Sequence, residues 1–285
     1  MRAFLLVMTL WLSLICAACV PVTMPETSAS AASMEEAMYG NQVQYTAEWT
    51  IHEGGLETFL EVSKAAVGLV EANEPEMLAF HYYLNEDESK AYLVEWYANA
   101  DAIPHHMQNV QEALGQSLEV SDLSRFEVFG DLTDGASHTL AGLGPQIFSH
   151  WYGFTRPHAV MVGADPTHGN QVQYTAKWKI HDGELDSFKE IASSSTELVE
   201  ANEPEMLAFH WYMNEDESEA YLVEWYANAD AITHHFQNVQ EPLGALLEIS
   251  DLARFEVFGD LTDGATETLA ALRPQTFSHW EGFTR

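Results

Sequence analysis

The sequence predicts an α+β protein made of two tandem ferredoxin-like (split βαβ) sandwiches whose sheets pack face to face within one chain. Three observations predict it. Residues 41–156 align with 170–285 at a constant offset of 129 without a gap, and 86 of the 116 positions are identical. Within each copy the apolar period alternates between two and 3.6 in the order β-α-β-β-α-β. The strand expected at 77–84 (MLAFHYYL) is apolar in both phases, so each face of its sheet needs cover, and helices supply only one. The other copy can supply the second. Two separate domains that each dimerise with another chain form the alternative.

The elements of the first copy follow in order. Val43, Tyr45, Ala47, Trp49 and Ile51 alternate with polar residues, which reads as a strand with one apolar face. His52-Glu53-Gly54-Gly55 is a turn. Leu56, Phe59, Leu60, Ala66, Val67 and Val70 fall on one side of a helix that stops before Pro75. The strand 77–84 passes through the polar tip 85–89 into a return strand, 91–97. A second helix starts near Asn99 or Asp101, either of which could cap it, and turns Ile103, His106, Met107, Val110 and Leu114 inward. A strand at 125–132, a helix-prone stretch and a closing segment at 148–156 (FSHWYGFTR) complete the unit. The copies differ most at 60–68 against 189–197, which reads as an outer helix face.

Composition narrows the function. The 285 residues hold 11 Lys+Arg against 44 Asp+Glu, a formal charge of −33 that opposes nucleic acid or anionic lipid as partners. Both cysteines, Cys16 and Cys19, precede the folded body, which excludes a disulfide scaffold, a Cys-ligated metal and a Cys nucleophile there. Met1–Arg2, the apolar run from Ala3 to Ile15 and the small residues up to Cys19 read as an export signal, so the body is expected outside the cytoplasm. Lipidation on Cys19, cleavage to a free protein and an uncleaved anchor remain the three alternatives. The expected division is a signal at 1–19, a flexible tether at 20–39, domains at 40–156 and 169–285, and a linker at 157–168.

Each copy resembles a domain of the antibiotic biosynthesis monooxygenase family. The residues that carry the resemblance are Glu74-Pro75, Val94-Glu95-Trp96, Ala102-Ile103 with His106, and the closing Gly153-Phe154-Thr155-Arg156. The resemblance covers roughly 230 of the 285 residues and implies a dimeric α+β barrel, here formed within the chain. It also implies an activity among cofactor-independent oxygenases of phenols, anthrones and quinols, or among haem-degrading enzymes. Two positions depart from the family: Glu76 stands where many members have glycine, and the Trp and His spacing of the haem-degrading branch is not matched.

An oxygenase without metal or flavin needs a base, a dry aromatic cavity and donors for an oxyanion. His106 and its counterpart His235 are the candidate bases, on the inward helix face. His105 is rotated about 100° away, so the His-His pair is no metal clamp and no metal site is expected. Glu95 and Glu224 are the candidate partners that orient or ionise the histidine, each being the lone acid inside its strand. Tyr45, Trp49, His81, Tyr83 and Trp96 are the expected pocket residues, with Tyr174, Trp178, His210, Tyr212 and Trp225 in the second copy. If the 85–90 hairpin is symmetric, His81 shares a face with Tyr83, Tyr92 and Trp96; a slip of one residue places it beside Glu95. For each residue the structural alternative is a satisfied core position. His52, His150, His181 and His279 are expected near the surface. The functional expectation is an exported monooxygenase of phenolic or quinol-type aromatics that uses no cofactor. The alternatives are a non-catalytic protein for a small apolar or haem-like ligand, and a structural envelope module.

Overall fold

A computed structural model describes residues 42–156 and 171–285. The expected signal, tether, linker and Cys19 lie outside the described residues. The first half contains β1 (Val43–Ile51), α1 (Leu56–Asn73), β2 (Met77–Leu84), β3 (Lys90–Tyr97), α2 (Ile103–Asn109), α3 (Gln111–Val120), β4 (Ser121–Phe129), α4 (Asp134–Leu140) and β5 (Gln146–Thr155). The second half repeats them as β6 (Val172–Ile180), α5 (Leu185–Asn202), β7 (Met206–Met213), β8 (Glu219–Tyr226), α6 (Ala231–Asn238), α7 (Gln240–Ile249), β9 (Ser250–Phe258), α8 (Asp263–Leu269) and β10 (Gln275–Thr284).

Helix α1 buries Phe59, Val62, Ser63, Ala66, Val67 and Val70 at helical spacing. The divergent stretch 60–68 is therefore not an outer face alone, because any nine helical residues visit the buried side at least twice. The expected second helix is broken in two at Val110 (φ −93°, ψ 5°). Neither Asn99 nor Asp101 caps α2 with its side chain. In the second half Asn228 accepts from the Ala231 amide at 3.1 Å.

The ten strands close into one barrel in the order β1-β3-β2-β10-β9-β6-β8-β7-β5-β4. This is the expected barrel within one chain, in which the two sheets cover each other's inner faces. The halves are joined edge to edge by strands that they exchange. Strand β5 runs parallel to β4 for three residue pairs and then pairs antiparallel with β7 of the other half, as β10 does with β2. Each sheet edge is thus covered by a strand of the opposite half, leaving no open edge.

The closing Gly-Phe-Thr-Arg segment makes this crossing possible. Gly153 (φ +151°) sits opposite His210, where an added Cβ would lie 2.3 Å from the Phe209 carbonyl oxygen. Arg156 then donates to the carbonyls of Met206 (2.8 Å), Glu200 (2.7 Å) and Glu203 (3.1 Å), satisfying orphan acceptors at the end of α5. Arg285 repeats the clamp on Met77 at 3.1 Å and on Glu71.

Strand alternation sends one phase into the barrel and the other under the helices. The barrel interior stacks rings across the halves, with Tyr92 4.3 Å from Phe258 and Trp96 5.3 Å from Trp225. The polar phase of β1 is buried there as well: Gln44, Thr46 and Glu48 are at most 6% exposed. Arg125 pairs with Glu48 at 2.9 Å and with Glu256 of the other half at 2.6 Å, and Arg254 reaches back to Glu127 at 2.5 Å. At the rim the halves differ in sign. Glu48 pairs with Lys90 at 2.7 Å, whereas Lys177 pairs with Glu219 at 2.9 Å.

Candidate active site

Strand register decides which side chains meet under the helices. Phe80 pairs with Glu95 and His81 with Val94, so Glu95 points to the helix-covered face along with Tyr45, Ala47 and Trp49 of β1. Tyr97, two residues beyond Glu95, shares that face. Helix α2 lowers His106 onto it, one turn after the buried Ile103.

His106 stands between two carboxylates. Its Nε2 is 3.1 Å from Glu95 Oε2 and its Nδ1 is 2.9 Å from Glu74 Oε2. Asn109 donates to Glu74 Oε1 at 2.6 Å. The Tyr97 hydroxyl donates to Glu95 Oε2 and is itself bonded to the Tyr45 hydroxyl. Glu74 reaches this position because Pro75 stops α1, leaving Glu74 at φ −122° and ψ 80°. The second half repeats the chain as Asn238, Glu203, His235, Glu224, Tyr226 and Tyr174, with His235 at 2.9 Å from Glu203 and 3.4 Å from Glu224.

The electrostatics assign proton positions. Burial holds the Glu95 carboxyl above its ordinary value, more strongly than His106 and the tyrosines pull it down. For Glu224 the same balance pushes the pKa up to about 7. Burial alone would lower His106, but Glu95 and Glu74 outweigh it and raise the imidazole. Burial also opposes ionisation of Glu74, yet the hydrogen bond and charge of His106, with Asn109, bring it below the usual carboxylate range. Burial and the Glu95 charge keep Tyr45 and Tyr97 protonated. The surroundings therefore favour the charged forms of His106 and Glu74 and the neutral form of the Glu95 and Glu224 carboxyls, which makes those carboxyls candidates to exchange a proton.

Each half has a cavity above this chain, with about 50 Å³ open to the centres of water-sized molecules. In the first half Tyr45, Glu95 and His106 meet Trp49, Phe80, Leu93 and Phe126 from the barrel strands and Met107, Val110 and Leu114 from α2 and α3. Its lining is almost wholly apolar apart from the acid–base group.

The structure brings together Tyr45, Trp49, Glu95 and His106, and likewise Tyr174, Trp178, Glu224 and His235. It separates His81, Tyr83 and Trp96 from them, and His210, Tyr212 and Trp225 with these. The reason is the two-residue period: these six belong to the opposite phase and pack inside the barrel. There His81 Nδ1 lies 3.1 Å from His279 Nε2 and its Nε2 lies 2.8 Å from Thr284. His210 pairs with His150 in the same way, and burial followed by the His150 charge lowers His210 to about 3. His150 and His279 are accordingly half-buried at the seams rather than on the surface.

The histidine expected as the base has two carboxylate partners. With carboxylates on both ring nitrogens, His106 has no nitrogen left for a substrate proton. Three functional residues were missed: Glu74, Tyr97 and Asn109. The signals were present: an acid just before a helix-stopping proline, a tyrosine two positions from Glu95, and an amide three positions from His106. Among the described residues no group of three His, Asp or Glu side chains is arranged to hold a metal ion.

The antibiotic biosynthesis monooxygenase domain matches residues 44–112 and 173–240, in each case from the first strand to the helix after the histidine. No curated protein matches the chain. Among solved structures, a candidate monooxygenase from Lactobacillus acidophilus shares 15% identity over 76% of this chain and 91% of its own, with a TM-score of 0.52. Another, from Fusobacterium nucleatum, shares 12% identity over 77% of this chain and 91% of its own, with a TM-score of 0.57. At such identities the likeness is one of fold: both structures span the two halves of the barrel.

Proposed function

Since the chain belongs to the antibiotic biosynthesis monooxygenase family, with two tandem copies of its domain, we propose that each half is an oxygenase site working without metal or flavin on a phenolic or quinol-type aromatic. The observation that carries this reading is a buried carboxyl at an apolar cavity, Glu95 or Glu224, bonded to a histidine and a tyrosine pair and raised by burial above its ordinary value, in Glu224 to about 7.

The carboxylate takes the substrate's acidic proton, leaving an electron-rich anion. That anion passes one electron to O₂, and the resulting radical and superoxide combine at a ring carbon as a peroxide. Protonation of the outer oxygen and loss of the remaining hydrogen of that ring carbon as a proton break the O–O bond, so that water leaves and the C–H electron pair becomes the carbonyl. One oxygen atom ends in the product and one in water; the substrate supplies both electrons, so no external reductant enters. The imidazolium of His106 offsets the charge on Glu95 and positions it, while the Tyr97–Tyr45 pair solvates the carboxylate in place of water.

Haem does not fit this site. Both nitrogens of His106 are engaged by carboxylates, leaving none to ligate an iron. The largely apolar lining favours a second reading, retention of a small apolar ligand without turnover. Oxygen consumption with an anthrone and a quinol separates the two. The oxygenase reading expects uptake that falls at least a hundredfold in the Glu95→Gln/Glu224→Gln double variant. Saturable binding with no uptake above the protein-free rate would favour retention, and uptake unchanged in the double variant would reject the base assignment.

A further inference from the structure

The two cavities share one acid–base group but not one wall. All six residues from Tyr45 to Asn109 that form the chain of hydrogen bonds recur unchanged in the second half. Around them the walls diverge, most notably where Tyr82 and Met107 become Trp211 and Phe236.

The Tyr82 exchange changes the hydrogen-bonding balance. In the first half the Tyr82 hydroxyl lies near the Ser63 side chain, whose Oγ donates to the Phe59 carbonyl at 2.7 Å. In the second half Ala192 stands at the serine's position, so the acceptor is gone. Trp211 is 1% exposed, and its indole N–H is buried without an acceptor among the described residues. Buried donors are nearly always satisfied, by protein, water or ligand. Trp178, on the same wall, also lacks a partner, but so does its counterpart Trp49. Trp211 is therefore the donor that distinguishes the halves.

We propose that the second-half cavity takes an aromatic ligand bearing a carbonyl-type acceptor, received by the Trp211 indole N–H, a donor that the first-half cavity does not offer at that position. The inference rests on the cavity being the ligand site assigned above and specifies the ligand class for one of its two copies. An acceptor entering an apolar cavity loses water, and only a waiting donor offsets that loss. A ligand of the same shape without the acceptor leaves the indole unpaired and binds about tenfold more weakly.

The test is a titration of the full chain, carrying ¹⁵N at its indole nitrogens, with 1-indanone and with indane, which has the same skeleton without the carbonyl. The Trp211 signal is identified by its absence in Trp211→Phe. The expected result is a saturable downfield shift of that signal with 1-indanone and about tenfold weaker binding of indane at the second half. An Ala192→Ser/Trp211→Tyr variant installs a pair that the first half already accommodates. It should retain indane and lose the preference. A Trp211 signal unmoved at saturating 1-indanone, or a preference that survives in that variant, overturns the proposal. No oxygen chemistry enters this titration. A Trp211 response in a protein that consumes no oxygen upholds the ligand assignment and overturns only the oxygenase reading.

Discussion

Replacing Gly153 by alanine should unfasten the seam between the halves. Two costs add. A φ of +151° belongs to a region that side-chain-bearing residues rarely occupy, worth roughly 1–3 kcal/mol. The new Cβ would also lie 2.3 Å from the Phe209 oxygen and 2.7 Å from His210 Cα, both backbone atoms of β7. No rotamer change relieves such an overlap, so overpacking adds roughly 1–3 kcal/mol more. The expected loss is about 4 kcal/mol, read from urea unfolding followed by tryptophan fluorescence. Gly68→Ala is the internal control. Gly68 lies exposed within α1 with nothing within 4 Å of an added Cβ, so alanine there should gain roughly 0.5–1 kcal/mol. Should Gly153→Ala unfold within about 1 kcal/mol of the parent, the crossing of β5 over β7 is not as tight as described and the account of the closing segment fails.

Arg254→Met removes the closer of the two arginines paired with Glu127, leaving the buried carboxylate to Arg125 at 3.4 Å and the Tyr221 hydroxyl; a loss of about 1.5–3 kcal/mol is expected by urea unfolding, with partial recovery in Glu127→Gln/Arg254→Met. Glu224 has a folded pKa raised from 4.5 to about 7, so its contribution is present below about pH 4.5 and disappears as pH rises through 7. Glu224→Gln should therefore gain on the parent by about 3 kcal/mol between pH 4.5 and 8, measured as the difference in unfolding free energy. Glu74→Gln removes one of the two carboxylates that raise His106, and imidazole ¹⁵N shifts should show that histidine losing its proton at lower pH than in the parent.

The repeat, the order of elements and the inward face of the helix carrying His106 were legible because each rests on local periodicity. Glu95 was legible as an oddity, a lone acid in an apolar strand. What escaped depends on partners far away in the chain. Nothing local says that β5 leaves its own sheet for β7, although the Gly-Phe-Thr-Arg ending contains the means, a glycine for the close pass and an arginine for the helix end. The pocket list mixed two faces because Tyr83 and Trp96 look as aromatic as Tyr45 and Trp49, and only the register of β2 against β3 separates them. Glu74 is legible by its place before proline and not by its reach, since a sequence separation of 32 from His106 closes only in three dimensions.

The rim pairs of opposite sign, Glu48 with Lys90 and Lys177 with Glu219, show what a single polypeptide permits. When identical subunits associate, any substitution arrives on both sides of the symmetry axis together, and each novelty must be tolerated twice. Here one side reversed its pair while its twin kept the older or newer order, and neutrality survived locally in each. The barrel is in effect a heterodimer encoded in one reading frame, free to specialise one side while the other holds its ground.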